Sequence, residues 1–344
     1  MKHSIYPVDV LEKLNLAQRI IANDHPLQSS PSEGEREGGG ERGVRKTEKG
    51  GGIMEIARGK YGMGWIPDYP DFRDYTEKTK EVKSIFSLKG ERRVKSLPVS
   101  ADLREWCSPV EDQGRLGSCT AHAGAGVIEY YERKSFGRHT DASRLFLYKV
   151  TRNMMKMTGD TGAFLRTTMG AMVLFGAPPE AYWPYTDDEK GFDREPPAFC
   201  YAFAQNYQTV KYFRHDLPGT KPQEVLSKVK TYLSKGHPAM FGFTVYNSIE
   251  QAEKTGKIPF PSGKEKIEGG HAIVAVGYDD RIKIKNRYGK VETTGALLIR
   301  NSWGKRWGEE GYGWLPYDYI LKGLAEDFWS VLKKEWIDTG QFND

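Results

Sequence analysis

Cysteine is scarce in this chain, with three among 344 residues, and that excludes a fold stapled by several disulfides. Long apolar runs are missing too. Nowhere do about 18 apolar residues follow one another, so no membrane span is expected. The opening stretch MKHSIYPVDVLEKLNLAQRII has no unbroken apolar run ending in small residues, and so does not read as a secretory signal. Together these absences point to a reducing, cytoplasmic location. Charge of one sign is not concentrated either: 51 basic and 46 acidic side chains leave +5 with no dense Lys/Arg run, which argues against a nucleic-acid partner. No internal repeat and no zinc-ligand array is visible, so neither a metal nor a cofactor is expected. What is present is 38% hydrophobic residues over a length sufficient for one large or two ordinary domains.

The composition changes along the chain. Residues 1–27 hold a short amphipathic helix over 8–23, where Val8, Leu11, Leu14, Leu16, Ile20 and Ile21 fall mostly on one face. Residues 28–52 are rich in Gly, Glu, Arg, Ser and Lys, with triple glycines at 38–40 and 50–52. They bury too little to offset their ordering entropy and read as a flexible linker. Residues 53–97 form an N-terminal extension whose aromatic part, YGMGWIPDYPDFRDY over 61–75, reads as extended peptide lying against something apolar. The main domain is expected over 98–344. Its first part is helical, with a helix at 119–135 whose N-terminal half is crowded with Ala and Gly, and others at 166–175 and 222–235. Its last third holds strands at 241–246, 271–278 and 296–300. Helices first and strands later predict an α+β fold of two lobes.

Three local patterns carry chemistry. Cys119 opens the 119–135 helix, where unpaired backbone N–H groups and the helix dipole favour a thiolate. His271 follows Gly269-Gly270 at the start of an apolar strand. Asn301 directly follows the strand ALLIR. Its amide oxygen can accept the Nδ1–H of a histidine, which would leave Nε2 for the thiol. Each pattern alone is more often structural than catalytic.

Taken in order, glutamine, cysteine on a helix, histidine on a strand and asparagine before tryptophan, the chain resembles the papain/cathepsin family of cysteine peptidases over roughly residues 98–330. The cysteine content makes it similar to the cysteine-poor, prokaryotic-style members. The resemblance implies a helical lobe carrying the nucleophile on its central helix and a β-barrel-like lobe carrying His271 and Asn301. It further implies Gln113, six residues before Cys119, as an oxyanion donor, and Trp303 as a shield over the His–Asn hydrogen bond. Thr161 and Gly162 resemble the loop that pairs with an extended peptide substrate, and Glu326 falls near the floor of a side-chain pocket, with Asp327 as the alternative. Leu116 and Thr120 depart from the family, which usually has cysteine and tryptophan there, so the disulfide beside the active site cannot form. Cys107 and Cys200 are expected as free thiols and His122 as a packing residue.

The expected function is therefore endopeptidase hydrolysis through a Cys-His-Asn triad and a thioester. The family is usually made as a zymogen, so part of residues 53–96 is expected to cover the cleft and inhibit in cis, the alternative being a structural extension that leaves the cleft open. Two alternatives use the same scaffold: a papain-like acyltransferase or transpeptidase, and a non-catalytic peptide-binding homologue.

Overall fold

The computed structural model describes residues 61–71, 74–80, 82, 96–207 and 211–332. The helix read at 8–23 and the linker at 28–52 lie outside the described residues. In chain order the strands are β1 (Trp65–Ile66), β2 (Ser100–Asp102), β3 (Ala163–Phe164), β4 (Lys211–Arg214), β5 (Ala239–Tyr246), β6 (Ile267–Lys285), β7 (Glu292–Arg300), β8 (Tyr312–Pro316) and β9 (Ala325–Leu332). The helices are α1 (Cys119–Phe136), α2 (Arg144–Met154), α3 (Leu165–Leu174), α4 (Ala198–Ala204), α5 (Pro222–Ser234) and the single turn α6 (Asp318–Leu321).

Seven strands form one antiparallel sheet in the order β4-β9-β5-β6-β7-β8, with β2 added to β6. Period-2 alternation divides its side chains between two cores. Ala272, Val274 and Val276 of β6, Leu298 of β7 and Trp329 of β9 pack with the helices α1 to α3. Ile273 and Ala275, Phe241 and Phe243, and Leu297 and Ile299 face the other way, against α5 and the tryptophans 303 and 307. The two expected lobes thus share one sheet as their common wall.

Helix α1 is the central element of the helical lobe. Its first fourteen residues, 119 to 132, are all buried, and it ends at Gly137, whose φ of 73° places it in the left-handed cap with its N–H on Arg133 O at 2.8 Å. The small residues at 121–126 do what their size suggests and admit close neighbours. A Cβ on Gly124 would come within 2.8 Å of Met172 Sδ.

Helix α2 was not among the expected helices. Ser143 caps it by accepting from Phe146 N at 3.1 Å, yet its interior face carries Arg144, Lys149 and Arg152. All three are buried and paired: Arg152 and Lys149 both reach Asp193 at 2.9 Å, and Arg144 reaches Glu111 and Glu180 at 2.6 and 2.9 Å. Buried ion pairs therefore interrupt the apolar period by which such a helix is read.

Leu298 is fully buried where β7 meets the helical lobe. Leu298→Ala should lower unfolding free energy by about 2–5 kcal/mol. Urea denaturation would report this as a lower midpoint at unchanged slope, and an unmoved midpoint would contradict the packing described.

Candidate active site

The N-terminus of α1 abuts the middle of the sheet. Cys119 is fully buried, and its Sγ accepts from the backbone N–H of Ala272 at 3.4 Å. That neighbour places His271 of β6 beside the start of the helix, although the two residues stand 152 positions apart in the chain. The pairing Phe243↔His271 fixes the ring's backbone in the β5–β6 ladder.

The imidazole is oriented by Asn301, the first residue after β7. His271 Nε2 donates to Asn301 Oδ1 at 2.8 Å, and the same oxygen accepts from Ser302 N at 2.8 Å. Two donors on one atom identify it as the carbonyl oxygen, so Nε2 carries the proton and Nδ1 is the bare nitrogen. This corrects the sequence expectation, which gave Nδ1 to the asparagine and Nε2 to the thiol. Nδ1 is buried and has no hydrogen-bond partner among the described residues. Trp303 stacks on the imidazole at 4.5 Å between centroids, tilted by 19°. His271, Asn301 and Trp303 are all buried, so their hydrogen bond lies away from water.

Gln113 is buried on the far side of Ser302. Its backbone N–H donates to Ser302 O at 2.8 Å, and its side-chain oxygen accepts from the Ser302 hydroxyl. Its Nε2 donates to Leu116 O at 2.7 Å and to Gly62 O at 3.0 Å. Gly62 belongs to the aromatic N-terminal segment, which runs straight through the cleft.

That segment is held at close range at several of its residues. Tyr61 stacks on the outer face of Trp303 at 4.3 Å, making a three-ring pile with His271. The carbonyl of Gly62 also accepts from Trp303 Nε1 at 3.3 Å. Gly64 O accepts from Ala163 N at 2.7 Å, and β1 pairs with β3 in parallel. A Cβ on Gly64 would lie 1.9 Å from Gly117 O, so only glycine lets this backbone reach the cleft floor. Trp65 fills a pocket whose wall is Gly242; a Cβ there would lie 1.9 Å from the indole ring. The Trp65 N–H donates to Asp327 Oδ2 at 3.1 Å.

The peptide-pairing and pocket residues differ from expectation. Gly162, at φ 74°, gives its N–H to Tyr148 Oη at 3.1 Å and brings its Cα against Gly64 O; the donor to the segment is its neighbour Ala163. The Thr161 hydroxyl donates to Gly162 O at 3.2 Å rather than to the segment. The acid at the pocket floor is Asp327, not Glu326, which is exposed. Strand β9 carries one extra residue opposite Met240–Gly242, and Asp327 sits in that irregularity at φ 66°. A bulge of this kind turns the wrong neighbour inward, and simple alternation cannot reveal it. Asp327 also pairs with Arg214 at 3.1 Å. Burial raises its carboxyl to about 7, against the pull of Arg214.

Covering the cleft reverses the expected electrostatics of the thiol. Burial pushes Cys119 up to about 11, although the N–H groups of Ala272 and Gly64 pull it down. Burial likewise holds His271 down to about 4, opposed by the Asn301 bond. Desolvation outweighs the helix N-terminus here. Cys107 and Cys200 are free and buried, as expected. His122 is buried as well, with Nδ1 at 3.1 Å from Ser118 O.

Comparisons with known proteins give the family. Residues 97–326 match the model of the papain family cysteine protease. The chain belongs to the papain family of cysteine proteases. It is 35% identical over 226 residues to an uncharacterized peptidase C1-like protein of Acanthamoeba polyphaga mimivirus, spanning 64% of this chain and 68% of that one. It is 26% identical over 253 residues to the thiol protease aleurain of Arabidopsis thaliana, covering 70% of this chain and 62% of aleurain. Among solved structures it is similar to xylellain, a cysteine protease from Xylella fastidiosa, with TM-score 0.64 and 35% identity over 81% of this chain and 98% of that one. The papain-like α+β fold and the protease class expected from the sequence both stand. No described helix is long and apolar enough to cross a membrane.

Two outcomes follow from the covered site. A thiol that loses its proton near 11 and an imidazole that gains one near 4 are both neutral at pH 7. The absorbance difference between the intact chain and its Cys119→Ala variant should therefore lack thiolate at pH 7 and gain it only as pH approaches 11; thiolate absorbance at pH 7 would contradict the covered state. Trp65→Ala should loosen the segment, since emptying a buried aromatic site costs about 3–5 kcal/mol. Amide exchange across residues 61–71 should then quicken by about a hundredfold or more while β6 and β7 stay protected.

Proposed function

We propose that this papain-family protease cuts peptide bonds with Cys119 as nucleophile, His271 as general base and Asn301 as the residue that orients it, and that its own N-terminal segment blocks the site. The observation that carries the reading is the His271–Asn301 bond: it commits Nε2 and leaves Nδ1 bare and buried, on the residue next to the one whose N–H meets the Cys119 sulfur.

With the segment displaced, Nδ1 takes the thiol proton and the sulfur attacks the substrate carbonyl carbon. The C=O electrons move onto oxygen, which is stabilised by Gln113 Nε2 and the Cys119 backbone N–H. The oxyanion collapses, the C–N bond breaks, and the proton on Nδ1 passes to the leaving amine. Water then gives a proton to Nδ1 and attacks the thioester, releasing the acid and restoring the thiol. Trp303, stacked on the imidazole, keeps water from competing for the Nε2–Oδ1 bond.

Several contacts support the segment as an inhibitor in cis. Its Gly62 carbonyl takes the Gln113 donor, but Trp303 Nε1 is the second donor to it. What the segment presents to the sulfur is the Gly64 N–H, so it fills the cleft with an amide N–H turned to that atom. Its order suits an extended peptide partner in trans, since the backbone pairing through Ala163 N reads main chain rather than side chains.

The test uses the full chain with Trp65→Ala. This variant should cleave a denatured protein substrate and take an epoxide thiol reagent at Cys119 far faster than the unmodified chain. Cys119→Ala on that background should abolish both, and Gln113→Ala should lower turnover by about 10²–10³. Turnover that survives Cys119→Ala, or Trp65→Ala labelling no faster than the intact chain, would overturn the reading.

A further inference from the structure

Beyond the Trp65 pocket two arginines hold the segment: Arg214 Nη2 donates to Asp68 O at 3.0 Å, and Arg166 makes the larger set of contacts. Arg166, in the first turn of α3, turns its guanidinium into the segment. Nε and Nη2 meet the two carboxylate oxygens of Asp74 at 2.9 and 2.8 Å, a forked pair. Nη1 meets Asp68 Oδ2 at 2.5 Å, and Nη2 also reaches Tyr69 O at 2.8 Å. The side chains of Arg166, Asp68 and Asp74 are 14%, 3% and 5% exposed, so these are dry contacts.

The nearby Arg214 differs in one respect. It pairs with Asp216 at 3.0 Å and Asp327 at 3.1 Å, both in the catalytic part. Every hydrogen bond of the Arg166 guanidinium among the described residues runs instead to the segment. When the segment leaves, Arg214 keeps its counter-charges and Arg166 loses both. The face of Trp329, 5.5 Å from the guanidinium carbon, still holds it in place, and the charge it keeps nearby is Asp327, which is already paired with Arg214.

We propose that Arg166 is a specificity residue of the opened cleft, a subsite for a peptide carboxylate at the place Asp68 now fills. This rests on the protease reading above and names its substrate class. A peptide that puts an aromatic side chain in the Gly242 pocket would reach Arg166 with an Asp or Glu three residues away, a span of about 10 Å in extended chain. The segment carries this spacing itself, Trp65 to Asp68, with Pro67 holding the stretch extended. An arginine whose hydrogen-bonded carboxylates have left, at the edge of a substrate cleft, selects an acid by offering the charge-assisted bonds that an amide returns only in part.

Binding and turnover separate the two claims. The full chain carrying Trp65→Ala, Asp68→Asn and Asp74→Asn opens the cleft, and Cys119→Ala added to it allows peptide binding to be measured without cleavage. Fluorescent peptides with Trp and, three residues to either side, Asp or Asn are titrated by anisotropy at low and high salt. The Asp peptide of one order should bind about tenfold tighter than its Asn twin, with the advantage shrinking in salt and vanishing in Arg166→Gln. Equal affinities, no binding of either peptide, or a preference that survives Arg166→Gln would overturn the subsite. If the chain with Cys119 intact cuts both peptides equally, the protease reading stands and the subsite falls. Tight, Arg166-dependent binding without cleavage would leave the subsite standing and sink the protease reading.

Discussion

The architecture turns on one junction, where the first residue of α1 meets the middle of β6. The helix brings Cys119 from the helical lobe, the strand brings His271 from the sheet, and the Ala272 N–H on the sulfur marks where they join. Much of the remaining structure keeps this meeting in register. Small residues let α1 sink against α3, and β5 and β7 clamp β6 from both sides. Asn301 then emerges from β7 at the height of the imidazole. A helix shifted by one residue would rotate the sulfur by about 100°, and a strand shifted by one would turn the imidazole to the other face.

Polar groups around the junction are organised in shells. Ser302 is bonded to both Asn301 and Gln113, so the partner of the His271 imidazole and the amide beneath the segment share one support. Trp303 seals this arrangement on one face of the imidazole. The segment then covers what the shells leave open. Its effect is electrostatic as much as steric, because removing water disfavours both the thiolate and the imidazolium. In the proposed reading one displacement of the segment would admit substrate, rehydrate the ion pair and uncover Arg166.

The helices at 119–136, 165–174 and 222–234 and the strands around 241–246, 271–278 and 296–300 were legible because each has a clean local pattern. Helix α2 was not, since its buried Arg and Lys are neutralised by Asp193, Glu111 and Glu180 from distant loops. Nor was the depth of the aromatic segment. Its alternating glycines, Gly62 and Gly64 between Tyr61 and Trp65, were a signal for close backbone approach that could have been read but names no partner.

The sequence by itself determined the residue types and their order: a thiol at a helix start, a histidine on a strand, an asparagine before a tryptophan, and a glutamine six residues before the thiol. Those are properties of local pattern, and local pattern carried the family. The tertiary structure alone decided which imidazole nitrogen faces Asn301, that Asp327 rather than Glu326 lies beneath Trp65, and that the thiol is neutral in the covered state. Each of these depends on groups brought together from far apart in the chain, where ring rotation, a single bulged residue or the loss of water changes the outcome without changing any neighbour in sequence.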